Sequence, residues 1–178
     1  MNSEGVQIGG IGVSGGSVAE DTSVAQAGLD AYAAGEQLEA ASGGELLDAA
    51  MQMVEAAEQK AVEISVPMVI SVADMGGNLV LLHRMENSLL ASLEIAPNKA
   101  FTSVALKMPS ADVQALAQEG SELQGIAVQH AGRIVEFGGG IPIYDADGVQ
   151  IGAIGVSGGS VAEDTSVAEA GLAAFSGQ

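Results

Sequence analysis

The chain has 178 residues, with 23 Asp and Glu against 5 Lys and Arg, for a formal charge of −18 at neutral pH. Nucleic acid and anionic membrane surfaces are excluded as partners, because both require a basic face. The lack of cysteine excludes disulfides, thiolate metal sites and a cysteine nucleophile. Apolar residues make up 48% of the chain and aromatics 3%, which suffices for one core of Ala, Val, Ile and Leu. The 25 glycines are about twice the usual share and need a cause.

The first element is a strand followed by a helix. Val6, Ile8, Ile11 and Val13 form a β-branched run interrupted by glycines. Ser17 then stands as an N-cap, with Glu20 three residues on completing a capping box before a helix rich in Ala and Val. The 28 residues from Gly5 to Tyr32 return 143 positions later, from Gly148 to Phe175, with Ser160 and Glu163 in the same roles. Four pairs differ: Gly10 and Ala153, Gln26 and Glu169, Asp30 and Ala173, Tyr32 and Phe175. Solenoid repeats are tandem, whereas this cassette stands only at the two ends, so a solenoid is rejected.

Between the copies, residues 45–62 place Leu46, Ala49, Ala50, Met53, Ala57 and Ala61 at helical spacing. Residues 64–73 and 79–85 read as a hairpin turning at Met75, Gly76 and Gly77. Ser88 opens a helix that Pro97 interrupts or restarts and that runs to Lys107; Pro109 stops it, and Ser110 caps a short helix ending at Gly120. Strands follow near 133–137 and 141–144, separated by Gly138, Gly139 and Gly140, and Asp145 to Gly148 turns into the second cassette. Hairpin-linked strands predict an antiparallel sheet with helices packed on it, an α+β arrangement.

Two glycine motifs resemble catalytic signatures and fail on context. Gly12-Val13-Ser14-Gly15-Gly16 and its twin Gly155-Val156-Ser157-Gly158-Gly159 match a nucleophile elbow, yet no histidine follows Ser157 to act as base. Gly10, Gly12 and Gly15 spell a dinucleotide fingerprint that the twin breaks at Ala153, and no βαβ unit follows. The GVSGGS turn at a helix N-terminus is either an anion site or a tight turn whose helix dipole Glu163 and Asp164 already complement. Arg84, Lys99, Lys107 and Arg133 fall within 50 residues of a chain that otherwise avoids positive charge. They either serve an anionic small molecule or pair with nearby acids such as Glu86, Glu94 and Glu136. His83 and His130 are the only histidines, each a candidate ligand or a structural residue. Asp145 and Asp147 carry part of a calcium-loop pattern, but a hairpin turn accounts for them.

The run from DAAMQMVEAAEQKAVEISVPMVISVADMGGNLVLLHRME through IAPNKAFTSVALKMPS to FGGGIPIYDADGVQIGAIGVSGGSVAEDTSVAEAGLAAF resembles the GlcG/HbpS-like family, which includes the C-terminal domain of PduO-type proteins. Arg84-Met85, Lys99-Ala100 with Thr102, the triple glycine before Ile141, and the segment from Gly152 to Gly158 with Asp164 carry the likeness over about 45–175. The resemblance implies a profilin-like three-layer α/β/α sandwich around a five-stranded antiparallel sheet, oligomers, and in some members binding of haem or a related cofactor. The haem-ligating histidine associated with the family lies near the first helix, and residues 45–62 contain none. Haem here would have to use His83, His130 or a methionine such as Met85.

The expected organisation is therefore an N-terminal duplicate with linker over 1–44 and a GlcG/HbpS-like domain over 45–178. The expected function is a cytoplasmic, non-enzymatic oligomeric protein binding haem or another anionic small molecule through His83, Arg84, Lys99, His130, Arg133, Gly155, Ser157 and Gly158. Self-association through the duplicated cassette accompanies that reading, since one domain has one place for two copies. The alternatives are a self-assembling, strand-exchanged structural protein without ligand, and an enzyme of small hydroxy-acid or diol metabolism.

Overall fold

The computed structural model describes residues 10–34 and 45–175. They belong to two compact units that divide between positions 41 and 42.

In the larger unit, helix α2 (Glu45–Glu63) leads into strands β1 (Val69–Asp74) and β2 (Leu79–Arg84). Helices α3 (Ser92–Ala105), α4 (Ser110–Ala117) and α5 (Ile126–Gln129) follow, then β3 (Gly140–Tyr144), β4 (Gln150–Ser157) and α6 (Val161–Ala174). The strands form an antiparallel sheet in the order β2-β1-β4-β3. Alternation along the strands gives the sheet two different faces. Ile70, Val72, Ile154 and Val156 join Ala50, Met53, Ala57 and Val167 in the main core, under α2 and α6. Complete burial of side chains such as Met53 and Ile70 stabilises the fold by about 1.5–3 kcal/mol each. The other face is built of small residues, with Ala73 and Ala153 meeting Ala100 and Val104 of α3. Here the glycines have a specific use: a Cβ on Gly155 would collide with Ala96 O and Ala100 N, and one on Gly140 with Lys99 O. Helix α3 therefore lies directly against the strand backbones, and the three layers of the expected sandwich are present.

The sheet has four strands among the described residues, not five. Residues 133–137 are not a strand, because their polar groups are taken by helix side chains. Val135 N donates to Thr102 Oγ1 at 2.9 Å, and Ser110 Oγ donates to Phe137 O at 2.8 Å. Ile134 and Val135 are buried all the same, so their β-branched pattern marks burial rather than a ladder. Ser110 accordingly does not cap α4; its hydroxyl also accepts from Gly140 N at 2.9 Å and ties α4 to the start of β3. The first hairpin strand begins at Val69 rather than 64, since the preceding residues close α2. Ser65 takes φ 58°, with Ser65 N donating to Val62 O and Val66 N to Ala61 O, a Schellman-type stop. Helix α3 starts at Ser92 and continues through Pro97, and α4 ends at Ala117. Both hairpin turns form as expected: Asp74 Oδ1 accepts from Gly76 N and Asn78 N, and Asp145 Oδ1 from Asp147 N and Val149 N.

Of the two cassette copies, the C-terminal one fills the place between β1 and β3, with Ile154 opposite Val72 on one side and Ile141 on the other. In the smaller unit the helix forms as α1 (Val18–Ala34), with Ser17 N donating to Glu20 Oε2 at 2.8 Å. The strand expected over Val6 to Val13 does not form at residues 10–13, and residues 6–9 lie outside the described residues. A strand needs a neighbour to satisfy its backbone, and the second copy holds the position between β1 and β3.

Candidate functional site

The eight residues singled out by the sequence separate into three groups, at the junction of β4 and α6, on β2, and after α5. Lys99 is the largest fully buried side chain among the described residues, at 0% exposure. It reaches from α3 past the end of the sheet to the first turn of α6 on the opposite layer. Its Nζ donates to Asp164 Oδ2 at 2.6 Å and to Val156 O at 2.8 Å, and lies 5.0 Å from the centre of the Phe137 ring. Burial pushes the Lys99 ammonium below the ordinary lysine value, and the Asp164 carboxylate opposes that shift.

The triple glycine is the wall of this passage. A Cβ on Gly139 would stand 2.7 Å from Lys99 Nζ and 2.6 Å from Val156 O, and one on Gly138 would stand 2.7 Å from Thr165 Oγ1. The other Asp164 oxygen accepts from Gly159 N at 2.9 Å, and Glu163 Oε2 accepts from Ser160 N at 2.7 Å. These two amides of the GVSGGS turn thus bind the chain's own carboxylates, and Lys99 supplies the counter-charge. Ser157 Oγ lies 3.0 Å from Ser92 Oγ, and a Cβ on Gly158 would meet Pro67 O at 2.5 Å. Lys99, Gly155, Ser157 and Gly158 therefore stand together at the junction of β4 and α6.

His83 and Arg84 occupy the edge strand β2. Opposite Ile70, His83 faces α2, where its Nε2 is 3.2 Å from Glu58 Oε1. The nitrogen is buried and makes no aligned hydrogen bond. Arg84, opposite Val69, turns to the other face and is exposed.

His130 and Arg133 come together around a residue the sequence did not single out. The Arg133 guanidinium carbon lies 3.6 Å from the centre of the Phe101 ring, and the His130 ring is 6.3 Å from it at a tilt of 56°. Gly77 leaves room for this ring, since a Cβ there would stand 2.8 Å from Phe101 Cδ2. Phe101 gave no sequence signal beyond being one of three phenylalanines, placed two residues after Lys99. Both His130 and Arg133 are exposed, and the His130 ring makes no hydrogen bond among the described residues.

A groove of about 500 Å³ adjoins this segment, walled by Ile95, Ala127, Gly132, Ile134 and Phe137, with Glu94 and Glu136 among its lining. Its carboxylates disfavour an anionic group within it, so such a group is best matched at the Arg133 end. The cluster thus places one accessible imidazole and one guanidinium, the latter stacked on Phe101, beside a partly apolar groove.

The sequence pattern of the family described as "Haem degrading protein HbpS-like" matches residues 46–173. The uncharacterized 15.0 kDa protein of the dhaT-dhaS intergenic region of Citrobacter freundii is 44% identical over 130 residues, covering 73% of this chain and 91% of that protein. The corrinoid adenosyltransferase PduO of the same organism is 40% identical over 124 residues, 70% of this chain but only 37% of PduO's length. Among solved structures, the PduOC:heme complex superposes with a TM-score of 0.71 at 37% identity, covering 72% of this chain and 93% of that one.

Proposed function

Since the chain belongs to the HbpS-like family, with residues 46–173 matching its pattern, we propose that it is a non-enzymatic, self-associating protein that binds haem or a related anionic small molecule. The observation that carries this reading is the His130–Phe101–Arg133 cluster, with His130 and Arg133 exposed, in a chain similar to a PduOC:heme complex. Haem supplies a redox-active iron when bound. His130 would provide a nitrogen ligand for the iron and Arg133 the counter-charge for a propionate, with Phe101 backing the guanidinium. His83 is the weaker candidate, because its Nε2 is buried against Glu58. Lys99, Gly155, Ser157 and Gly158 serve the reading indirectly, by fixing α3 and with it Phe101.

Haemin titration of the full chain tests the reading: a Soret shift saturating near one equivalent is expected. It should be lost in His130→Ala and kept in His83→Ala. No shift in the parent protein, or an unchanged shift in His130→Ala, would remove this site. A second reading, a self-assembling structural protein, rests on the extra cassette. Light scattering of the parent and of a chain lacking residues 1–34 tests it, and an unchanged oligomer size would end it.

A further inference from the structure

The internal contacts of the C-terminal cassette recur in the N-terminal one. Asp164 Oδ1 accepts from Gly159 N at 2.9 Å, and Asp21 Oδ1 from Gly16 N at 3.0 Å. Glu163 N donates to Ser160 Oγ, and Glu20 N to Ser17 Oγ, both at 3.4 Å. Ile154 Cδ1 lies 2.9 Å from where a Cβ on Gly171 would stand, and Ile11 Cδ1 lies 3.0 Å from the same point on Gly28. The strand segment of the first copy is therefore already folded back on its helix as in the second. Among the described residues the two copies differ in exposure and in ion pairing. Ile154 and Val167 are 0% exposed, whereas their twins Ile11 and Val24 are 48% and 59% exposed. Asp164 is paired with Lys99, whereas Asp21 forms no ion pair among the described residues.

From this we infer that the N-terminal cassette is an interchangeable filling for the place between β1 and β3 of its own chain. In that second frame Asp21 takes Lys99, and residues 10–14 take the ladder of residues 153–157. The inference rests on the duplicated cassette and not on haem binding.

Connectivity allows it. Helices α6 and α2 run antiparallel, since a Cβ on Gly159 would meet Val66 and one on Gly171 would meet Met53 O. The end of a cassette in this place therefore emerges beside the first turns of α2. Ten residues, 35–44, join α1 to α2, and ten residues reach up to about 33 Å when extended, far more than the few turns to be crossed. A link that short also gives an effective concentration on the order of millimolar, which favours insertion within a chain over exchange between chains.

The four differing positions set the balance between frames. Ala153 fills the small cluster with Ala73, Ala100 and Val104, where Gly10 would leave a methyl-sized gap. Phe175 packs on the main core, where Tyr32 would bring a hydroxyl. Glu169 and Ala173 are exposed, so Gln26 and Asp30 fit in their places. The C-terminal frame is thus the major one, and the N-terminal frame a reserve.

Redundancy is the test, in the full-length chain. Gly155→Val blocks the second copy, because a side chain there collides with α3, and Gly12→Val blocks the first in the same way. Gly12→Val should leave the melting curve unchanged. Gly155→Val should keep a cooperative transition lowered by a few degrees, and the double variant should lose it. The absence of native cysteine permits a second readout. Val72 stands opposite Ile154 in the ladder, so Val72→Cys with Ile11→Cys reports the N-terminal frame as a disulfide. That cross-link should rise severalfold when Gly155→Val is added, and should stay within single chains on a non-reducing gel. Gly155→Val as unstable as the double variant, an absent cross-link, or a cross-link only between chains would overturn the inference, whatever the haemin titration shows.

Discussion

Lys99→Met is the most informative single change to the core, because methionine keeps an unbranched stem one atom shorter and removes the charged amine. Two hydrogen bonds disappear, to Asp164 Oδ2 and Val156 O, and the Asp164 carboxylate is left 3% exposed with Gly159 N as its remaining partner. Removing one member of a buried pair costs about 3–5 kcal/mol, and the retained amide bond places this case near the lower end. About 3 kcal/mol corresponds to a fall in melting temperature of roughly 10 °C for a chain of this size. Adding Asp164→Asn removes the stranded charge while keeping an acceptor for Gly159 N, so the double variant should recover about half of the loss. Thermal melts and urea titrations followed by circular dichroism measure both. A Lys99→Met protein as stable as the parent, or a double variant less stable than Lys99→Met, would refute the view that the pair joins α3 to α6.

Three further outcomes are expected. Because burial lowers the Lys99 pKa, the unfolded chain binds more protons between the folded value and the ordinary 10.5. Stability therefore rises with pH across that window, and urea midpoints at stepped alkaline pH should show the parent gaining on Lys99→Met. Hydrogen bonds from Ser160 hold the exposed Glu163 carboxyl below its usual value, and Ser17 does the same for Glu20. Their stabilisation is present above 4.5 and is lost as pH falls through the folded values, so Glu163→Gln should flatten part of the acid unfolding profile. Ser110→Ala leaves the buried Gly140 N without its partner and should cost about 1–3 kcal/mol, read as a lower urea midpoint; an unchanged midpoint would count against the role given to Ser110.

The capping boxes and both hairpin turns were legible in the sequence because each is decided by residues within a few positions of one another. Ser160 needs only Glu163, and Asp74 only Gly76 and Asn78. Residues 133–137 were not, since Ile134 and Val135 carry the same β-branched signal whether a strand or the Thr102 hydroxyl satisfies the backbone. Lys99 invited a ligand-binding reading as a rare cation, but its neighbours Ala96, Ala100 and Ser103 mark a helix face that packs closely. Its carboxylate partner lies 65 residues away, a distance that no local pattern spans. Phe101 was missed for a related reason: an aromatic residue in an apolar helix gives no sign that an arginine 32 positions on will cover it. Thirteen of the 25 glycines lie in the two cassette copies, so much of the excess was legible as one turn counted twice; the fold adds its use, the space that lets α3 lie on the strands and lets Lys99 pass.

The central claim, that an anionic porphyrin is held at His130, is tested most directly by the paramagnetism of ferric haem. The chain has two histidines, so a long-range ¹H–¹⁵N spectrum shows two imidazole patterns. One equivalent of haemin should broaden the His130 pattern beyond detection and leave that of His83 in place. Loss of the His83 pattern alone, or persistence of both, would contradict the assignment.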